Sequence, residues 1–341
     1  MWITIIKKHL MRSCISTMSV LTLLGCGGSG DAPSVTPITS TEEPAIPSPS
    51  AEEADQPLES SPFTSFQASS SITVSADGPN SGLSAYKIIE NAFAEGAIEA
   101  PDMYPTDHVD VLHILEDTDE IVGPHFIFLA HRDRDFNKGV ESDRQRNEIK
   151  TYDKSAEPLK GYQGETMQFS WKFKVSGELE LSKKFSHFFQ LKAKNFNEDN
   201  SNGNDDQPMI TLSGVDKDST GNELQIRYSS GFNPDGTSTS DIYLIKTDWS
   251  SITDEWLEIK VQATFAEEGA FYMQISRIRD DALLVDISEP NIDMWRGVSS
   301  EDFVRPKWGI YRSLADADSL RPEEEQIRFA DFNVAKDAVA E

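Results

Sequence analysis

Long stretches of this chain alternate apolar and polar residues with a period of two, and that pattern constrains the fold more than any other feature. Gln168 to Val175 sets Phe169, Trp171, Phe173 and Val175 against Gln168, Ser170, Lys172 and Lys174. Leu257 to Phe265 opposes Leu257, Ile259, Val261, Ala263 and Phe265 to Glu258, Lys260, Gln262 and Thr264, and Phe271, Met273 and Ile275 continue the pattern. Period two places one set of side chains on one face of a strand, so each segment reads as a strand with a buried and a solvated side. Further strands are expected at His125 to Ala130, Phe185 to Lys192, Glu223 to Tyr228, Asp241 to Lys246 and Gln326 to Val334. Turn clusters such as Asn200 to Asp206 and Asn233-Pro-Asp-Gly236 separate them. Helical spacing is confined to Leu83 to Ala94, where Tyr86, Ile89 and Phe93 recur. No internal repeat is visible. The expected fold is all-β: a jelly roll, a two-sheet antiparallel sandwich with a few short helices, whose concave outer face can hold a ligand.

The strand pattern starts only at about Ile72. Residues 1–25 carry Lys7, Lys8 and Arg12 before an apolar run through Val20, Leu21, Leu23 and Leu24, the ordering of a secretory leader and too short for a convincing permanent span. The run ends in Leu23-Leu24-Gly25-Cys26, which resembles the bacterial lipobox, so Cys26 is expected to be lipidated and to become the mature N-terminus. That places the protein in the bacterial cell envelope, anchored by lipid, outer membrane first, with simple secretion as the alternative. Cys14 leaves with the leader, so no disulfide is expected. Residues 26–71 are rich in Ser, Pro, Thr, Ala and Glu, with Asp31, Glu42, Glu43, Glu52, Glu53, Asp55 and Glu59 and no Lys or Arg. Such a segment buries too little apolar area to offset its ordering entropy and reads as a self-repelling tether. Residues 72–341 suit one large domain.

The formal net charge is −27, and it stays strongly negative without the leader and the tether. No nucleic-acid partner is therefore expected, because phosphate binding needs a basic face. An acidic surface also repels an acidic polymer at long range, unless cations are gathered in one groove. Two segments gather them. Arg144 to Lys150 reads RQRNEIK, and as a strand it puts Arg144, Arg146, Glu148 and Lys150 on one face. Lys307 to Arg312 reads KWGIYR and points Trp308 and Ile310 to a core, with Lys307, Gly309 and Tyr311 opposite. Two such strands suggest a groove for an acidic polymer, whereas a solvated charge ladder is the plainer alternative.

The pieces RNEI (Arg146 to Ile149), FQLK (Phe189 to Lys192) and KWGIY (Lys307 to Tyr311), in that order in a β-rich secreted domain, resemble the jelly-roll polysaccharide lyases: the alginate lyases, glucuronan lyases and heparin lyase I. In the alginate lyases an R-x-E-L strand supplies an arginine, a Q-I-H strand a glutamine and a histidine, and a K-A-G-x-Y strand a lysine and a catalytic tyrosine. The resemblance carries these roles to Arg146, Gln190, Lys307 and Tyr311, and departs from the pattern at Lys192, which stands where the histidine belongs. It implies an enzyme that takes the C5 proton of a uronic acid and expels the 4-linked sugar, leaving a C4=C5 double bond. Arg146, Gln190 and Lys192 would then hold the carboxylate as charge develops on it, and Tyr311 would move protons. A phenol needs nearby cations to favour its phenolate, and Lys307 shares its strand face. Arg144, Glu148, Lys150, Lys307 and Arg312 complete the expected substrate contacts. His187 is the nearest replacement for the missing histidine, but strict alternation pairs it with Phe185, Phe189 and Leu191, away from Gln190 and Lys192, unless a bulge resets the register. His125 and His131 are weaker candidates, and His108 and His113 weaker still.

No cofactor is required by this chemistry, and no zinc-ligand spacing, phosphate loop or nucleophile elbow is present. The acidic loop Asn197 to Asp206 could hold a structural calcium ion, but it lacks EF-hand spacing and reads as a solvated loop. Trp249, Trp256 and Trp295 lie near turns or polar faces and could stack on sugar rings. A monomer is expected, touching membrane only through its lipid. The alternative function is a carbohydrate-binding surface lipoprotein on the same fold without catalysis, since a fold alone fixes no function. A glycoside hydrolase would need two carboxylates across the groove, and Glu148 alone qualifies.

Overall fold

The computed structural model describes residues 61–196, 205–231, 237 and 241–337. The leader, Cys26, the tether up to residue 60, most of the acidic loop Asn197 to Asp206 and the Asn233 to Gly236 turn lie outside them. Fifteen strands follow in chain order: β1 (Ala68–Val74), β2 (Ile98–Glu99), β3 (Ile114–Asp119), β4 (Gly123–Ala130), β5 (Arg144–Lys150), β6 (Thr166–Val175), β7 (Ser186–Lys194), β8 (Ile210–Asp216), β9 (Asn222–Tyr228), β10 (Ile242–Asp248), β11 (Leu257–Thr264), β12 (Gly269–Arg277), β13 (Ala282–Ile292), β14 (Phe303–Ser313) and β15 (Glu325–Asp337). Among the described residues, regular structure is present ahead of Ile72: β1 pairs with the end of β15, Ala68 opposite Asp337 and Val74 opposite Phe332.

The strands form two antiparallel sheets. One runs β13-β12-β11-β6-β15-β4-β3, with β1 also on β15; the other runs β10-β9-β8-β7-β14-β5-β2. This is the sandwich the alternation predicts. In β6 every second residue, Met167, Phe169, Trp171, Phe173 and Val175, is buried. Those side chains meet the inner face of the second sheet: Trp171 lies 4.5 Å from Phe189 and 6.0 Å from Trp308 between ring centroids, and Phe173 lies 5.6 Å from Phe188. Aromatic rings bury the most area per residue, so this seam is where the two sheets gain most of their cohesion.

The segment expected to be helical forms α2 (Ala85–Phe93), after the single turn α1 (Pro62–Ser65). Ser84 caps α2 by accepting the Lys87 backbone N–H at 3.4 Å. Its apolar stripe, Ala85, Ile89 and Phe93, is buried, with Phe93 stacked 6.0 Å from Trp308. Trp249, Trp256 and Trp295 are buried at 2, 1 and 7 % exposure, so they belong to the core and are not sugar-stacking platforms. Their polar sequence neighbours concealed that burial.

Two departures from regular pairing shape the outer face of the second sheet. The register of β7 shifts between His187 and Phe189 against β8, and that of β14 shifts between Trp308 and Tyr311 against β7. Phe188 and Phe189 consequently both enter the core, and every residue before them changes side. Within β14, Gly309 sits at φ +136°, and a Cβ there would lie 2.1 Å from the Asn147 carbonyl oxygen of β5. Only glycine allows that approach.

Candidate active site

The bulge in β7 brings His187 to the same face as Gln190 and Lys192. Strict alternation had placed it with the core; two consecutive inward phenylalanines overturn that parity. The cross-strand rungs then become informative. Tyr311 stands directly opposite Arg146 of β5 on one side and His187 of β7 on the other. One rung of the sheet therefore carries a guanidinium, a phenol and an imidazole.

These residues line a cavity of about 300 Å³ on the outer face, with Arg144, Gln190 and Lys192, and with Thr211 and Arg227 from β8 and β9. Arg144 donates to the Tyr311 hydroxyl at 3.0 Å, and the Arg146 guanidinium lies over the Tyr311 ring, 3.7 Å from its centroid. The His187 ring lies 6.0 Å from that of Tyr311 and stacks on Phe185 at 4.5 Å, while its Nδ1 is 2.7 Å from Ser213 Oγ. Burial, with the charges of Arg227, Arg146, Arg144 and Lys307, holds the His187 imidazole well below its ordinary pKa, hence uncharged. Lys192 behaves alike: burial and the neighbouring cations Lys307, Arg146 and Arg305 bring its pKa down from 10.5 to about 7. Its Nζ donates to the Asp206 carbonyl at 2.8 Å. Arg305, opposite Lys192 on β14, keeps its Nε and one terminal nitrogen buried without a hydrogen-bond partner.

Beside the cavity lies a buried ionic cluster. Glu99, on the short strand β2, receives Lys307 at 2.7 Å, Lys150 at 2.5 Å and Lys138 at 2.8 Å. Glu148 binds Lys307 at 2.7 Å and accepts hydrogen bonds from Arg146 and from Gln190 Nε2. Burial pushes the carboxyl of Glu99 up, but Lys307, Lys150, Arg146 and Lys138 outweigh it and hold that carboxyl well below the usual range. The cluster fixes Arg146 and Gln190 in place, and Asn137 Oδ1 adds a third restraint by accepting from Arg146 Nε at 2.8 Å.

Several expectations need correction. Arg312 is fully buried on the inner side, paired with Glu325 and bonded to Gln145 Oε1 at 3.1 and 2.9 Å, so it is part of a core ion pair and does not line the cavity. Parity already placed it with Trp308 and Ile310. Lys150, Lys307 and Glu148, exposed by 7, 4 and 1 %, lie in the ionic cluster and do not line the cavity. Lys307 is held by Glu99 and Glu148, so the cations at Tyr311 are Arg144 and Arg146. Glu99, Asn137, Arg227 and Ser213 were not foreseen. Glu99 offers only a lone acid in an apolar stretch, Ala97-Ile98-Glu99-Ala100, as a signal of buried charge.

No family model matches the chain, and no curated protein matches it. Among solved structures, the marine alginate lyase from Aplysia kurodai superposes with a TM-score of 0.50 at 12 % identity, covering 77 % of this chain and 97 % of its own. The endo-β-1,4-glucuronan lyase of the fungus Trichoderma reesei gives 0.44 at 14 % identity, over 70 and 94 %. The fold is a jelly roll, as in that alginate lyase. The cavity with Tyr311 occupies the outer face of the sheet that contains β5, β7 and β14.

Proposed function

We propose that the protein is a polysaccharide lyase that cleaves an acidic, uronic-acid-containing polysaccharide by β-elimination. The observation that carries this reading is the rung Arg146–Tyr311–His187 at the floor of a cationic cavity on an otherwise acidic chain. A uronate carboxylate fits among Arg146, Lys192 and the second amide N–H of Gln190, where positive charge offsets the enolate-like dianion that forms when C5 loses its proton. Tyr311, acting as its phenolate, takes that proton and becomes the neutral phenol: the C5–H bond breaks, its electron pair becomes the C4=C5 double bond, and the C4–O bond to the leaving sugar breaks. The leaving oxygen receives the proton back from Tyr311. Arg144 orients the phenol, and the neutral His187 supplies an uncharged hydrogen-bonding group beside it.

The non-catalytic alternative draws on Lys192 in the place of the family's histidine. His187 next to Tyr311 favours the enzyme, because it returns an imidazole to the reacting face by another route. The test is a panel of alginate, glucuronan, ulvan and heparin-type polymers, followed by ultraviolet absorbance of the unsaturated product. One polymer class should yield it. Tight binding of a polymer with no absorbance change would support the binding-protein reading instead.

A further inference from the structure

Outside the groove, three histidines and one aspartate converge. His108 and His113 come from the segment that leads into β3, His131 and Asp135 from the turn after β4. His108 Nδ1 and His113 Nε2 each lie 3.0 Å from Asp135 Oδ1, and His131 Nδ1 lies 3.4 Å from the same oxygen. Their rings meet edge to face, with centroids 4.7 to 5.1 Å apart. One carboxylate oxygen offers about two lone pairs, so three ring nitrogens over-subscribe it as a purely hydrogen-bonded arrangement. Indeed His131 Nδ1 is buried and makes no hydrogen bond.

The outward nitrogens complete the pattern. His113 Nδ1 lies 3.1 Å from Asp102, His131 Nε2 lies 3.1 Å from Glu324 and His108 Nε2 lies 3.3 Å from Asp110. For His113 and His131 a hydrogen-bonded carboxylate on the far nitrogen keeps the proton there and turns the lone pair of the near nitrogen inward, the usual support of metal-bound imidazole, whereas His108 Nε2 is near Asp110 without a hydrogen bond. Asp135 Oδ2 is occupied by the His131 backbone N–H at 2.6 Å, which leaves Oδ1 as the inward donor.

We infer that His108, His113, His131 and Asp135 form a binding site for one divalent transition-metal ion, zinc by donor chemistry. Three imidazole nitrogens and one carboxylate oxygen are a borderline ligand set, and four protein ligands make a closed, structural site. A tetrahedral ion with bonds of about 2.0–2.1 Å sets its ligands about 3.3 Å apart. The nitrogen-to-oxygen distances already bracket that value, and no two ligand atoms are more than 4.8 Å apart. The site also bears on the groove. The residue after Asp135 accepts the Arg146 N–H on its carbonyl at 3.1 Å, the next accepts Arg146 Nε, and Lys138 binds Glu99. The ion would therefore anchor the turn that holds Arg146.

The test uses the intact purified protein. Elemental analysis after equilibration with zinc and desalting should find about one equivalent, and cobalt should give the intense visible absorption of a tetrahedral site. Stripping with a chelator should lower the melting temperature by roughly 5–10 °C relative to protein in hundredfold excess of zinc over its Kd, and should speed amide exchange in residues 131–140. His113→Ala and Asp135→Asn should each abolish stoichiometric binding, while His125→Ala, at a buried histidine outside the cluster, should retain it. Because the wild-type measurements need no variant to fold, they decide alone: less than about a tenth of an equivalent of bound zinc or cobalt, with no shift on chelation, overturns the site. Retention of full stoichiometry in Asp135→Asn overturns the ligand assignment.

Discussion

Tyr311 separates enzyme from binder most sharply. Tyr311→Phe keeps the ring under Arg146 and removes the hydroxyl to which Arg144 donates. Turnover should fall by roughly a hundredfold to ten-thousandfold, the scale of a positioned proton-transfer group, with oligosaccharide affinity little changed; near-parental release of unsaturated ends would refute the role. Lys192 yields a prediction in pH. Its pKa of about 7 in the fold means that it is largely neutral at pH 8 until a uronate carboxylate arrives and favours the charged form. Binding at pH 8 should take up as much as about one proton, and the uptake should fade below about pH 6, where Lys192 is already charged. Isothermal titration calorimetry in buffers of different ionisation enthalpy reads this directly; identical heats at pH 8 would exclude it, and Lys192→Met should remove the uptake. For stability the sign is fixed in the same way. The unfolded chain keeps this proton up to about 10.5 and the fold releases it near 7, so raising the pH between those values favours the fold, as it does for Lys150 with its pKa of about 8.

At the scale of the strand, legibility depended on how regular the pattern was. β6, β11 and β12 were plain because each alternates without interruption and contributes one face to the core. β7 was half legible. Its sequence SHFFQLK holds Gln190 and Lys192 where alternation predicts, but the bulge that brings His187 alongside follows from two adjacent phenylalanines both entering the core, a tertiary fact that no local period encodes. β1, β2, β3, β8 and β13 were not foreseen, and neither was the proposed metal-ligand cluster, whose members come from separate segments and meet only when β3 pairs with β4. Gly309 supplies the test at this scale. A methyl group there would press on the Asn147 carbonyl at 2.1 Å and on Glu148 Cα at 2.7 Å, both backbone atoms that cannot swing aside. Gly309→Ala should cost roughly 2 kcal/mol or more of stability and reduce activity further than stability explains, by moving Arg146 away from Tyr311. Denaturant unfolding beside kinetics would check both; a variant as stable and as active as the parent would show that β5 and β14 adapt.

Across the whole molecule, a chain of net charge −27 gathers Arg144, Arg146, Lys192 and Arg227 around one cavity, so under the proposed function an acidic polymer repelled at long range would find local positive charge there. We propose that a lipid on Cys26 anchors the protein to the membrane. Cys26→Ser should release the protein into the soluble fraction with the unsaturated-product activity of the domain intact, and persistence in the membrane fraction would contradict lipidation. The pairing of β1 with β15 has another consequence. Ala68 faces Asp337 across the last rung, and the Gln67 backbone N–H reaches the Asp337 carboxylate at 3.3 Å. The path from first strand to last is therefore nearly a closed ring, and the point at which that ring is cut is arbitrary as far as the sheets are concerned. A circular permutant that joins residues 67 and 337 through a short linker and opens at an exposed turn would keep every strand in its place.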